Sequence, residues 1–213
     1  MYFDTSTLNG RNTYKLMTST VVPRPIAWVV SQDAQGRNNA APFSFFGAMS
    51  GDPPVVCLGV GSRPDSPKDT GANLQVGAGF VINMVSSAQL QHMNVTAIDF
   101  APGTDELEAA GIATAPSHKV APPRIADSPV AMECQVSQVL EVAPGRNMVL
   151  ADVLAIHIRD DAVLDAERCY IDTPSLDLVG RMHGGGWYSV QANLTEVPRL
   201  TEAAWRDRES PGP

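Results

Sequence analysis

Short apolar runs separated by turn residues dominate the first half of the chain. Residues 26–30 (Ile-Ala-Trp-Val-Val), 55–60 and 80–85 are rich in β-branched positions and bounded by Gly, Pro, Asn, Asp or Ser. That pattern predicts strands. The run at 80–85 has so few polar interruptions that it reads as buried on both faces. The first run leads into Asp33-Ala34-Gln35-Gly36, a polar hairpin tip with glycine where a positive φ is needed. The return stretch, 39–46, carries small residues, then Pro42, then aromatics. Pro42 has no N–H, so this stretch is not an ordinary central strand. A second hairpin is predicted from 130–142 and 147–159 around Pro144-Gly145-Arg146-Asn147, its return strand interrupted by only a few polar residues such as Asp152 and His157.

Helical periodicity is confined to short pieces. Residues 71–76 read as a helix with Asp65 or Ser66 as cap and Pro67 in its first turn. Residues 86–98 follow with Ser86 or Ser87 as N-cap and Leu90, Met93, Asn94 and Ala97 at helical spacing. Residues 105–110 form another, ended by Gly111. The lead-in, 1–20, supports no more than one turn at 13–17. Four prolines make 114–129 extended or looped. Residues 180–188 form a glycine-rich loop, and 193–213 a charged tail that ends Ser-Pro-Gly-Pro. The sum is a mostly β chain with short helices, a single domain over 1–213, and an antiparallel barrel as its architecture. Strand pattern alone leaves a β-sandwich open.

Composition narrows the function classes. The chain is 44% hydrophobic and 18% charged, with a net charge of −8. That balance argues against nucleic acid or an anionic membrane as the main partner. No secretory leader pattern or apolar run of spanning length is found, so a cytoplasmic location is the expectation. Cys57, Cys134 and Cys169 fit neither a zinc site nor a redox pair, and the first two read as small buried hydrophobes. The four histidines lack ligand spacing, so no metal site is expected. Neither a Ser-His-Asp order nor a carboxylate pair stands out, and no catalytic side chain is assigned.

Candidate chemistry concentrates between residues 24 and 70. Ser62, Arg63, Ser66, Lys68 and Thr70 place two cations and three hydroxyls beside a predicted helix start, a set that suits a phosphomonoester. A solvated loop with a helix cap explains the same residues. Asp69 orients Lys68 or Arg63, or caps the helix. Ala40 and Ala41 permit close backbone approach along the 39–44 segment, and Pro42, which lacks an N–H, leaves neighbouring backbone groups free for a ligand; an edge strand with a proline bulge is the competing reading. Arg24 sits between two prolines, so its side chain is aimed, either at a ligand or into a surface salt bridge. Trp28 reads as core. His183, within Gly180-Arg181-Met182-His183-Gly184-Gly185-Gly186, reads as an exposed loop histidine.

Four motifs in order carry a resemblance: PRPIAWV at 23–29, N-x-APFSFF at 39–46, S-x-DPPVV at 50–56, and KDT at 68–70 followed by a helix and FVIN at 80–83. In these the chain resembles the flavin reductase-like family, whose members fold as FMN-binding split β-barrels. The resemblance is close over the first half and looser beyond it. It implies that FMN is bound, with its phosphate at 62–70. It places backbone groups of Asn39, Ala40, Ala41, Pro42, Phe43 and Ser44 at the pyrimidine edge of the ring. Ser31 and Ser44 hydroxyls are then candidates for the flavin's polar atoms, with Arg24 and Arg181 as further contacts. NADH or NADPH would be the electron donor, and a monooxygenase, another acceptor protein or free flavin would receive the electrons. A flavin-binding carrier or sensor without pyridine-nucleotide activity is the alternative, and a barrel that has lost its cofactor a third. The long apolar hairpin at 130–159 and the pairing of similar proteins imply a homodimer, in which Arg181 or His183 could reach the partner's flavin.

Overall fold

A computed structural model describes residues 1–63, 67–190, 194–197 and 201. The expected Asp65/Ser66 cap and most of the charged tail lie outside the described residues. Seven strands form the main sheet: β1 (Ala27–Gln32), β2 (Asn38–Phe43), β3 (Phe46–Gly51), β4 (Pro54–Gly61), β5 (Gly79–Asn83), β6 (Val130–Ala143) and β7 (Arg146–Ile158). Their order is β2-β1-β5-β6-β7-β4-β3, and every pairing is antiparallel. The two outermost strands are consecutive in the chain, separated only by Ser44 and Phe45. The sheet therefore curls until its two edges approach, with no ladder between β2 and β3 among the described residues.

The interior of that curl is apolar. Ala27, Val29, Leu58, Phe80, Ile82, Cys134 and Ala151 meet there, and burial, with Glu133 beside it, pushes the Cys134 thiol up to about 12. Alternate residues of β1 and β5 face a second core. Trp28, Val30 and Val81 pack there against Met93, Leu107 and Ile125, and the Trp28 indole N–H donates to Thr96 Oγ1 at 2.9 Å. Both strands are thus covered on both faces, as the uninterrupted run at 80–85 implied. Pro42 lies on an edge strand, where its missing N–H breaks no ladder.

Helices α1 (Gly10–Thr20), α2 (Asp69–Asn73), α3 (Leu90–Val95) and α4 (Glu106–Ala109) surround the sheet. The capped helix expected at 86–98 is present as a short 3-10 turn followed by α3, with Ser86 and Gln89 forming a capping box. Three boundaries differ from the sequence reading. The lead-in holds an eleven-residue helix, because the Asn9 side chain caps it through the N–H of Asn12. Its threonines return hydroxyls to the preceding turn, Thr18 to Tyr14 O and Thr20 to Leu16 O. Helix α2 starts at Asp69 with Lys68 as N-cap, so Pro67 precedes the helix. In the long hairpin Arg146 already pairs with Ala143, which shortens the turn to Pro144-Gly145.

The proline-rich excursion is pinned by one buried charge. Glu133, on β6, is 0% exposed. Its carboxylate accepts the backbone N–H groups of His118, Lys119 and Val120, and it meets His157 Nε2 at 2.6 Å. The His118 ring stacks on His157 with centroids 5.4 Å apart. Three successive N–H groups make an anion-binding nest that holds the excursion on the sheet. Burial alone would raise the carboxyl pKa, but these hydrogen bonds outweigh it and lower the value from 4.5 to about 2. A depressed acid stabilises the fold in full above its unfolded pKa and loses that contribution as pH falls through the folded value. Glu133→Gln is therefore expected to lower stability by on the order of 2–3 kcal/mol at pH 7. In urea titrations the gap to the wild type should shrink as pH falls from 4.5 towards about 2. A gap that does not change with pH would show that the charge is not its source.

Candidate functional site

Three cavities run in a row along the free side of β2 and past its end. The first, about 110 Å³, is lined by Asn39, Ala41, Pro42, Phe43, Arg63, Lys68, Asp69 and Thr70. The second, about 220 Å³, lies between Pro42-Phe43-Ser44, Ile26, Met93 and the loop carrying Arg181 and Tyr188. The two share Pro42, Phe43 and Ala97. The third, about 480 Å³, opens beyond Ser44 towards α1. Polar and cationic groups thus collect at one end of a trough whose middle is walled by apolar side chains.

A buried network sets the geometry of the first cavity. The Glu106 carboxylate accepts both from Asn39 Nδ2, at 2.9 and 3.0 Å, and from the Ala40 N–H at 2.8 Å. The Thr70 hydroxyl donates to Asn39 Oδ1 at 2.6 Å. Glu106 thereby ties α4 to β2, and Asn39 ties β2 to α2. Burial, foremost, and the nearby Asp69 raise the Glu106 pKa, while the Ala40 N–H and Asn39 pull it down. Asp105 caps α4 by accepting the N–H groups of Leu107 and Glu108, which aims Glu106 inward. On the open side, Arg63 pairs with Asp99 at 3.0 Å. Lys68 is exposed and has no ion-pair partner among the described residues.

The structure brings most of the expected site residues together and leaves some out. Ser31 is 1% exposed and accepts from Asn73 Nδ2 at 3.1 Å, tying β1 to α2 and lining none of the three cavities. Ser62 is held by its N–H to Gly145 O, beside the long hairpin and outside the cavities. Ala40 is buried in the outer core, and its N–H is committed to Glu106. Among the described residues Arg24 makes no salt bridge, and it lines neither the first nor the second cavity. It is 7% exposed, and its guanidinium donates to Thr18 O, Val21 O, Met182 O and Ser44 Oγ. Flanking prolines aim it inward, where it joins α1, the glycine-rich loop and the Ser44 corner. Arg181 lies over the Tyr188 ring at 4.7 Å in its own chain's second cavity.

The sequence reading missed Glu106, Thr96 and Asp99. Glu106 was indistinguishable from its solvated neighbour Glu108, since only the cap at Asp105 decides which of the two turns towards β2. Thr96 is buried by the bond it receives from Trp28, a contact 68 positions away in the chain.

The sequence model of the flavin reductase like domain matches residues 17–174, and the chain belongs to that family. An uncharacterized protein of Deinococcus radiodurans is 43% identical over 212 residues, covering 97% of this chain and 93% of the relative. The solved structure of Pseudomonas fluorescens 2-nitrobenzoate 2-nitroreductase is similar with a TM-score of 0.86 and 32% identity, covering 95% of this chain and 98% of that one. A flavin reductase with a split barrel domain from Shewanella frigidimarina is similar in fold, with a TM-score of 0.79 at 21% identity over 94% of this chain and 100% of that one. The curled sheet with adjacent edges is thus the split barrel, and the class is that of flavin-related oxidoreductases.

Glu106→Ala would strand the Asn39 amide and the Ala40 N–H without an acceptor. A loss of roughly 2–4 kcal/mol is expected from two unsatisfied buried donors, read by urea denaturation. A loss below about 1 kcal/mol would show that water or a rearranged Asn39 replaces the carboxylate.

Proposed function

We propose that the chain binds FMN and works as an NAD(P)H-dependent flavin reductase. In this reading the phosphate lies in the first cavity and the ring in the second. The supporting observation is the pair of joined cavities along an edge strand, cationic at one end and apolar in the middle. The donor set fits the cofactor: Lys68 has no ion-pair partner among the described residues, Arg63 is held at the rim by Asp99, and Asn39 and Thr70 fix the wall behind them, with Asp69 and Glu106 also lining the cavity. An edge strand leaves alternate backbone groups without ladder partners, and those of β2 suit the polar edge of a flat ring. Pro42, Phe43, Ile26 and Met93 supply apolar contact, and Arg181 supplies positive charge at the far end. Bound FMN would supply the hydride chemistry, taking a hydride from a reduced nicotinamide and passing electrons to an acceptor such as a monooxygenase component or free flavin.

A homodimer belongs to the same reading. The long hairpin exposes Leu140, Val142, Leu154 and Ile156, each more than 40% accessible, and a soluble monomer rarely keeps such a face open. Sedimentation equilibrium at micromolar concentration should return twice the chain mass; a monomer that binds one FMN with full affinity would refute the paired assembly.

Lys68→Ala should weaken FMN binding by about 10- to 100-fold, one charge-assisted phosphate contact of on the order of 1.5–3 kcal/mol, with little change in stability. Flavin fluorescence titration checks it, with FAD as competitor. Unchanged affinity, or FAD held more tightly than FMN, would remove the phosphate from the first cavity. Anaerobic titration of the loaded protein with NADH and NADPH tests the reductase step, and a flavin that neither donor bleaches would identify a carrier or sensor instead.

A further inference from the structure

The third cavity is lined by Arg11, Lys15, Arg24 and Arg181 in a chain whose net charge is −8. It shares Ser44, Arg181 and Gly185 with the second cavity, so a molecule lying in it can extend to the ring position. One wall is the face of α1 that carries Arg11, Tyr14, Lys15 and Thr18, and the other is the glycine-rich loop with Arg181 and His183. Residues three, four and seven positions apart share one helix face, which is why these four line the cavity together. Among the described residues no aspartate or glutamate lines it.

The placement of these cations is unfavourable for the fold itself. Arg11 and Lys15 are like charges at i,i+4, which repel. They sit in the first half of α1, whose first turn has no acidic residue to offset the partial positive charge of the helix start. Both are exposed and neither has an ion-pair partner among the described residues. Arg181 gives one bond, to Gly184 O at 3.1 Å. Arg24 belongs to the wall but spends its donors on carbonyls and Ser44, so it acts as a buttress and not as a ligand. Three cations and a histidine around about 480 Å³ need an anion larger than a single phosphate or carboxylate.

We propose that this cavity takes the phosphate groups of a reduced pyridine dinucleotide, and that Arg11 and Lys15 make it select NADPH over NADH. The inference rests on the flavin reading of the two neighbouring cavities. In Rossmann-type sites a carboxylate meets the 2′-hydroxyl of an unmodified ribose and an arginine accommodates a 2′-phosphate; the same charge chemistry applies here on a different fold. This cavity offers the second chemistry and lacks the first. Tyr14, with His183 stacked on Trp187 at 6.2 Å, provides flat surfaces for a base.

The test uses the full chain with and without FMN. Adenosine 2′,5′-bisphosphate and 5′-AMP serve as probes in calorimetric titration at low salt, alongside steady-state kinetics with NADPH and NADH. The wild type should bind the bisphosphate at least tenfold more tightly than 5′-AMP and favour NADPH at least tenfold in kcat/KM. The double variant Arg11→Gln, Lys15→Gln should lose tenfold or more in bisphosphate affinity and in kcat/KM for NADPH, with less than a threefold change for NADH and with FMN affinity intact. Both positions are exposed on a helix surface, and thermal denaturation confirms that the variant folds. Equal or greater preference for NADH, or an unchanged preference in the variant, overturns the proposal. So does a variant whose only defect is in KM for a carboxylate-bearing acceptor. Failure of the flavin reading is separate: a chain that binds no FMN yet discriminates the two nucleotides keeps the phosphate subsite and loses the adjacent ring site.

Discussion

The unclosed edge of the sheet is the constraint on which the rest depends. A strand edge carries backbone donors and acceptors that must meet water, another strand or a ligand. Here the two edges of one sheet are brought side by side by a two-residue link, Ser44-Phe45, and Pro42 removes one donor from the edge that faces the trough. Between those two edges packing takes the place of a ladder: Phe43 and Phe46 pack on the interior core from the two sides. The first two cavities lie along the free side of β2, and the third opens past its end at Ser44.

Three buried charges position the irregular segments around that unclosed edge. Arg24 holds α1 and the glycine-rich loop to the Ser44 corner, Glu106 holds α4 to β2, and Glu133 holds the proline-rich excursion to β6. Arg24 and Glu133 are satisfied mainly by backbone groups, and Glu106 by the Asn39 amide together with the Ala40 N–H. That choice suits loops, whose orphan backbone groups would otherwise have to remain wet. It also makes the segments separable, since a defect at one clamp leaves the other two and the apolar core in place.

Six of the seven strands of the main sheet, the first hairpin tip and the capping role of Ser86 were legible because period, turn residues and caps are local properties, whereas β3 at Phe46–Gly51, with two glycines and no apolar run, was not. Arg63, Lys68 and Thr70 were grouped because they lie close in the sequence; that Asn39 joins them in one cavity depends on the Thr70 hydroxyl bond to its Oδ1, which the fold assembles. Ser31 and Ser62 misled for one reason: a hydroxyl near a motif carries no information about which side of a strand it occupies, and here one faces Asn73 while the other sits by the Gly145 turn. Arg24 was read as aimed, correctly, but its target depended on carbonyls at 18, 21 and 182 that only the fold assembles. The length of α1 was hidden because three threonines and one asparagine interrupt it, and its start is set by the Asn9 cap, which no apolar stripe announces.

Charge distribution joins the fold to the chemistry. The chain carries a net charge of −8, yet Lys68 and Arg63 mark one end of the trough and Arg11, Lys15 and Arg181 the other. The first cavity sets Lys68 and Arg63 among the carboxylates of Asp69, Asp99 and Glu106, whereas the third is lined by cations without a carboxylate among the described residues. In the proposed reading both anionic ends of a flavin–nucleotide pair would be anchored at once, with the uncharged rings left to meet over the apolar middle formed by Pro42, Phe43 and Met93. Anchoring at the two ends fixes the rings laterally without any group having to grip them, which leaves the ring faces free for transfer.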